Sequence, residues 1–164
     1  MILIIAVDQN WGIGKDNKML FHLKKDLAHF RQVTLGKIVI MGRKTYDSIG
    51  HALPDRDNLV LSQDQSLELP DAKVFNRVFD ILNYTIDDRS NTYVIGGAKI
   101  ADLFLDVTQK AIITKIFDQK DADTYLHNFD TDHDFEIIHE SEVYEEDGIK
   151  FQIVTYERIK NGNY

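Results

Sequence analysis

An acidic residue, Asp26, sits where a helix of its kind should be apolar. The stretch from Leu23 to Thr34 reads as an amphipathic helix, with Leu23, Leu27 and Phe30 at i, i+4 and i+7. At ~100° per residue, Asp26 falls about 60° from the centre of that stripe, beside Phe30 and Val33. Lys25 and Gln32 point the other way. An ionised carboxylate on a buried face costs several kcal/mol unless something pairs with it. Its i+4 neighbour is Phe30, so the helix supplies no cation. Two chemistries are compatible with this spacing. Asp26 either awaits a ligand, or lies in the first helical turn, where free amides and the macrodipole favour an acid.

Two strand-to-helix junctions have anion-binding character. In Val39-Ile40-Met41-Gly42-Arg43-Lys44-Thr45 a strand ends, a glycine lets the backbone approach a ligand, and a helix opens beside two cations. Val94-Ile95-Gly96-Gly97-Ala98-Lys99 repeats the arrangement. Each alone is an ordinary turn; two in one small chain suit a ligand with a pyrophosphate in its middle. Neither is a P-loop, and Gly12-Ile13-Gly14 does not extend to a dinucleotide fingerprint. Arg56, in Leu53-Pro54-Asp55-Arg56-Asp57, could grip a carboxylate or simply pair with Asp55 or Asp57 on the surface. The six histidines lack metal-site spacing. Asp130 to Asp134 imitates the start of a calcium loop, but Phe135 and Ser141 stand where its glycine and glutamate belong. That segment is expected to be a solvated acidic turn, and no metal site is assigned.

These groups must be carried by a framework, and short apolar runs supply it. Strands are expected at Ile2 to Val7, Lys37 to Met41, Asn58 to Ser62, Thr92 to Ile95 and Ala111 to Phe117. Helical patterns lie between them: the Asp26 helix, a short one from about Arg43, Val78 to Tyr84, and Ala98 to Leu105. Alternation of this kind implies right-handed crossovers and a mostly parallel α/β sheet of about eight strands with about four helices. Phe135 to His139 and Ile149 to Arg158 read as an antiparallel hairpin at one edge, with an acidic turn ending in Asp147-Gly148. Asn10 to Leu20 lacks periodicity and reads as a loop at the carboxyl end of the first strand, suited to a lid.

Bulk composition narrows the class. The 164 residues suit one domain, 1–164, with ordinary apolar (43%) and charged (28%) content. A net charge of −8 argues against a nucleic-acid-binding surface. With no cysteine there is no disulfide framework, which fits a reducing cytoplasm. No apolar run approaches the roughly 18 residues of a membrane span, and the N-terminus lacks a signal-peptide pattern.

Together the residues resemble dihydrofolate reductase of the bacterial type, in order and spacing over nearly the whole chain. The likeness rests on Ile13-Gly14, Asp26-Leu27-Ala28-x-Phe30, Ile40 to Thr45 with Tyr46, Ser48, Ile49 and Gly50, Leu53-Pro54-x-Arg56-x-Asn58, Ile95-Gly96-Gly97, Thr114 and Asp123-Thr124. It implies reduction of dihydrofolate to tetrahydrofolate by NADPH in a monomer that also binds antifolates. It further implies a catalytic set of Asp26, Phe21 and Thr114, with Asp26 anchoring the pterin and Thr114 supporting the same end. Ile4, Ala6, Met19, Leu27, Phe30, Ile49, Leu53 and Ile95 would line the substrate, and Arg56 would hold its glutamate tail. Ala6, Ile13, Gly14, Leu61 and Ile95 would border the cofactor. Arg43 and Lys44 would favour its 2′-phosphate, with Ser62 and Gln63 near the ribose. Gly42, Thr45 and the amides of Gly97, Ala98 and Lys99 would serve the pyrophosphate, with Gly96 and Gly97 joined by a cis peptide. Asp123 would steady the loop containing Met19.

The chain departs from the family's usual residues at several points. Leu20-Phe21 replaces a pair ending in tryptophan, so the indole donor that anchors a water near the pterin is absent. Lys24 replaces a helix-opening proline, which would loosen that turn. Ala98 and Ala122 stand for small residues, and Ala101 for a tyrosine that would thicken the nicotinamide wall. Alternatives to the leading reading are a reductase of another pterin or pyrimidine, or a non-catalytic nucleotide-binding module.

Overall fold

The computed structural model describes residues 1–160; residues 161–164 of the expected domain lie outside the described residues. Its framework follows from the apolar runs. β1 (Ile2–Val7) lies between β7 (Thr92–Gly96) and β8 (Lys110–Ile116), parallel to both. Beyond β7 come β4 (Ile38–Gly42), β5 (Asp57–Leu61) and β6 (Lys73–Phe75), all parallel. On the other side β12 (Ile149–Arg158) pairs antiparallel with β8. The full path is β10-β12-β8-β1-β7-β4-β5-β6, with β10 covering Phe135–Glu140. Among the described residues this path is the expected mostly parallel α/β sheet of eight strands, with one further short strand attached to β12.

Both faces of a parallel sheet must be covered, and here they are. Side chains alternate along β1. Leu3 and Val7 join Ile40, Leu59 and Val94 in one core, with Ile81 of α3 (Val78–Tyr84) and Ala101 of α4 (Ala98–Leu103) packed beneath. Ile4 joins Val39, Met41 and Val60 on the opposite face, covered by Phe30 and Val33 of α1 (Lys24–Thr34) and by Tyr46 and Ile49 of α2 (Arg43–Ile49). The four helices therefore divide two and two.

The C-terminal edge differs in detail from a simple hairpin. Asp147-Gly148 closes a turn onto a separate short strand, β11 (Tyr144–Glu146), which pairs with the start of β12. β10 pairs with the far half of β12, from Phe135↔Arg158 to Glu140↔Val154. Both turn residues have positive φ, 51° and 77°, the pattern of a type I′ hairpin turn.

The Asn10 to Leu20 segment contains more structure than its sequence announces. β2 (Gly12–Lys15) and β3 (Lys18–Met19) form a hairpin whose Asp16-Asn17 turn again has positive φ at both residues. β2 also pairs with β9 (Thr124–Tyr125), making a second, three-stranded sheet.

Candidate active site

Asp26 is the third residue of α1, so it does lie in the first turn, yet its carboxylate does not cap that turn. Thr114, on β8, donates its hydroxyl to Asp26 Oδ1 at 2.5 Å. The helix's free amides go elsewhere: Lys24 N and Lys25 N donate to Glu146 Oε2 and Oε1 at 2.7 and 3.1 Å. Half-buried, Asp26 is thus spared local capping and left with an oxygen to offer. Burial pushes its proton affinity above the usual carboxylate range. The Thr114 hydrogen bond and His29 pull it down, while the like charge of Glu146 pushes it up.

The sheet explains why Thr114 is there. It pairs with Ala6 across β1 and with Ile153 across β12, which puts its hydroxyl level with the first turn of α1. Around this pair, Ile4, Phe30, Ile49, Leu53 and Ile95 belong to one apolar cluster. Phe21, 5% exposed, joins Leu20 and Ala6 in the adjoining one. Leu27 and Met19 are less engaged, at 42% and 45% exposed.

Arg56 pairs with neither Asp55 nor Asp57. Its Nε donates to Pro54 O at 2.8 Å and its Nη1 to Thr34 Oγ1 at 3.1 Å, which fixes the guanidinium against the end of α1. Partial burial lowers its proton affinity, and the nearby Arg31 charge lowers it further. The Asp55 charge acts the other way without forming an ion pair, so the guanidinium keeps donors to offer an anion.

The two glycine junctions meet at the carboxyl ends of neighbouring strands, because β4 pairs with β7 in register Met41↔Gly96. Gly96 and Gly97 are joined by a cis peptide, and Gly96 has φ 129°. A methyl group on Gly97 would lie 3.8 Å from Thr45 Oγ1, so that hydroxyl faces the glycine pair. Gly42 has a packing reason to be glycine: a Cβ there would come within 2.8 Å of Ile100 Cγ1. Arg43 is held by Asp47 at 2.8 Å, one helical turn on. Asp64 has a carboxyl held low chiefly by hydrogen bonds from Ser66, with Arg43 contributing, so the Ser62–Asp64 turn lies within reach of that cation. Lys44 is exposed and borders a cleft of about 380 Å³ with Ser48, the β2–β3 turn residues Asp16 and Asn17, and Lys18 of β3. Leu61 turns into the opposite core, below the turn that carries Ser62 and Gln63, while Ile13 packs against that core from the β2–β3 hairpin.

The hairpin over the site is fastened at several points. Asp8, buried at the end of β1, accepts from Asn10 N and Gly12 N through Oδ1, and from Lys120 N through Oδ2. Asp16 N donates to Asp123 Oδ2 at 3.0 Å, the contact anticipated for Asp123. Lys15 pairs with Asp121. Lys120 Nζ donates to Leu20 O at 2.7 Å and stands 4.3 Å over the Phe21 ring.

Comparison with known proteins agrees with this arrangement. The profile of the dihydrofolate reductase family matches residues 1–158. Dihydrofolate reductase of Haemophilus influenzae is 41% identical over 124 residues, 76% of either chain. That of Bacillus subtilis is 36% identical over 127 residues, 77% of this chain and 75% of its own. A type 3 dihydrofolate reductase of Salmonella typhimurium is 36% identical over 127 residues, covering 77% and 78% respectively. The chain belongs to the dihydrofolate reductase family.

Family membership throws the unusual positions into relief. Glu146 supplies two acceptors at the helix start where Lys24 stands in place of proline, so that turn is bound rather than loose. Ala122 is close-packed: its Cβ would be 2.9 Å from a Cβ on Gly12. Ala101 is buried in the core under β7. The acidic turn spends its carboxylates on protein partners, Asp130 on Tyr156 and Lys115, Asp132 on His127. Three participants escaped the sequence reading: Asp8, Lys120 and Glu146. Asp8 had a signal, a strand-ending aspartate two residues before an asparagine, which favours an Asx turn. Glu146 had none, since its partners are 122 and 121 residues away.

Proposed function

We propose that this chain reduces 7,8-dihydrofolate to 5,6,7,8-tetrahydrofolate with NADPH, as a single-domain monomeric cytoplasmic enzyme. The observation carrying this reading is the half-buried Asp26 carboxylate, bonded to Thr114 and, among the described residues, in no ion pair, on the helix whose Phe30 packs into the apolar cluster of Ile4, Ile49, Leu53 and Ile95. A pterin presents an amino group and a ring nitrogen side by side, and one carboxylate can accept from both. Arg56, pinned by Thr34 and Pro54 with Arg31 nearby, suits the carboxylates of a glutamate tail. That feature favours a folate over a tail-less pterin or a pyrimidine.

The donor set at the glycine junctions fits NADPH. Arg43 and Lys44 offer charge to a 2′-phosphate, with Ser62 and Gln63 beside them. Thr45 and the amides of Gly97, Ala98 and Lys99 offer neutral donors to a pyrophosphate. When bound there, NADPH would supply the hydride for the carbon of a C=N bond, whose nitrogen must then gain a proton. The protein's part is alignment and field. Ile4, Ala6, Ile95, Ile49 and Phe30 exclude water and hold the ring flat, and Asp26 stabilises positive charge on the pterin. Phe21 has no donor, so the proton reaches the nitrogen by water entering past the β2–β3 hairpin, with Asp26 as an electrostatic aid.

The test is the loss of the near-ultraviolet absorbance of NADPH when dihydrofolate is added to purified protein. Oxidation that follows enzyme concentration is expected. No oxidation at micromolar protein would remove the proposal. An unchanged rate with a substrate lacking the glutamate tail would favour another pterin.

A further inference from the structure

We propose that Glu146 is a positioning residue of the substrate site: from the C-terminal hairpin, its carboxylate caps the helix that carries Asp26. The proposal rests on the reading of Asp26 as the pterin's anchor.

The geometry is specific. Helix α1 begins after Leu23, an apolar residue that offers no side-chain cap. Such a start leaves free amides without acceptors. One carboxylate takes two of them in parallel, Lys24 N to Oε2 at 2.7 Å and Lys25 N to Oε1 at 3.1 Å. A cap normally comes from the residue just before the helix and moves with it. This one comes from another part of the fold, so it ties the helix to the sheet.

Glu146 itself is held in register. It ends β11, pairs with Ile149, and is followed by the tight Asp147-Gly148 turn. Tyr144, two residues back, packs its ring 5.6 Å from Phe151. Lys25 Nζ stands 3.9 Å over the same Tyr144 ring, a second clasp between α1 and β11. The first turn of α1 is therefore clamped from one side by β11 and from the other by the Thr114–Asp26 bond.

The clamp has an electrostatic side. The groups that bear on Asp26 are the Thr114 hydroxyl from β8, His29 from its own helix, and Glu146 from β11. Glu146 is the like charge among them and favours the protonated carboxyl. One side chain therefore holds the helix that carries the acid and adds a smaller push to the proton affinity that burial chiefly raises.

The experiment uses the full chain with Glu146→Gln and Glu146→Ala, each confirmed as folded by thermal unfolding. Glu146→Gln keeps one acceptor but removes the charge; Glu146→Ala removes both. The titration of the Asp26 carboxyl carbon, followed by NMR in the free protein, is expected to move to lower pH in both variants. The KM for dihydrofolate is expected to rise about threefold to tenfold in Glu146→Ala, the range of a lost helix cap, with kcat changed less. A merely structural role would lower the melting temperature without moving that titration. An unmoved Asp26 titration overturns the proposal. A titration that moves while KM and kcat stay at wild-type values also overturns the positioning role of Glu146, whereas failure of the Asp26 assignment itself shows separately as near-normal kcat/KM in Asp26→Asn.

Discussion

Asp26→Asn separates a binding role from a structural one, because the two predict opposite effects on stability and rate. Thr114 already donates to Oδ1, and an asparagine oxygen can still accept that bond. At the other position an acceptor becomes an NH2 donor facing the donors of the pterin. One charge-assisted bond worth about 1.5–3 kcal/mol is lost, and the other falls to a neutral bond of about 1 kcal/mol. The sum, about 2–5 kcal/mol, corresponds to a fall in kcat/KM of roughly thirtyfold to several thousandfold. Stability should move the other way. The carboxyl's proton affinity is raised in the fold, chiefly by burial, so at neutral pH the ionised form is a cost that the unfolded chain does not bear. That cost is fully present above the folded pKa and disappears as pH falls toward the ordinary aspartate range. Asp26→Asn should therefore melt at or above the wild-type temperature at pH 7, with the gap closing in acid. Steady-state rates and thermal unfolding across pH decide it. Near-normal kcat/KM together with a lowered melting temperature would refute the reasoning and make Asp26 a structural residue.

Other predictions concern the remaining contacts. Arg56→Ala should raise the KM for dihydrofolate about tenfold or more, the worth of a lost charged pair, and leave a tail-less dihydropterin unaffected; equal effects on both substrates would rule out tail binding. Arg43→Ala should raise the KM for NADPH but not for NADH, erasing the preference between them in parallel initial-rate measurements. Gly42→Ala forces a Cβ against Ile100 Cγ1 and should lower stability by about 1–3 kcal/mol in urea unfolding, and its cost should shrink in an Ile100→Ala background that lacks that carbon. Lys120→Met removes the tie to Leu20 O and the cation over Phe21, so backbone amides of residues 18–21 should exchange faster with solvent. Unchanged exchange there would mean the tie is idle.

How much of this could be read from sequence depends on the range of the forces involved. β1, β4, β5, β7 and β8 announced themselves because strands buried on both faces are continuous apolar runs. The helix stripe of α1 placed Asp26 correctly, yet not its partner, since Thr114 reaches it only through the register of β8 against β1. β2, β3 and β9 are short and polar; their pairing is decided across the chain, and only the Asp16-Asn17 turn hinted at a hairpin. The edge strand was split for the same reason, with β11 too short to show a period. The phosphate-suited junctions were legible because glycine, strand and helix start are local. The Glu146 cap was not, because a cap is normally sought in the preceding residues.

The place of β1 has a consequence for the order of synthesis. β1 has as its neighbours β7 and β8, which begin at Thr92 and Lys110. Until those segments exist, the apolar run from Ile2 to Val7 has neither edge paired, and an unpaired hydrophobic strand is a template for association. The nascent chain thus carries this adhesive run unpaired until synthesis has passed Thr92 and Lys110.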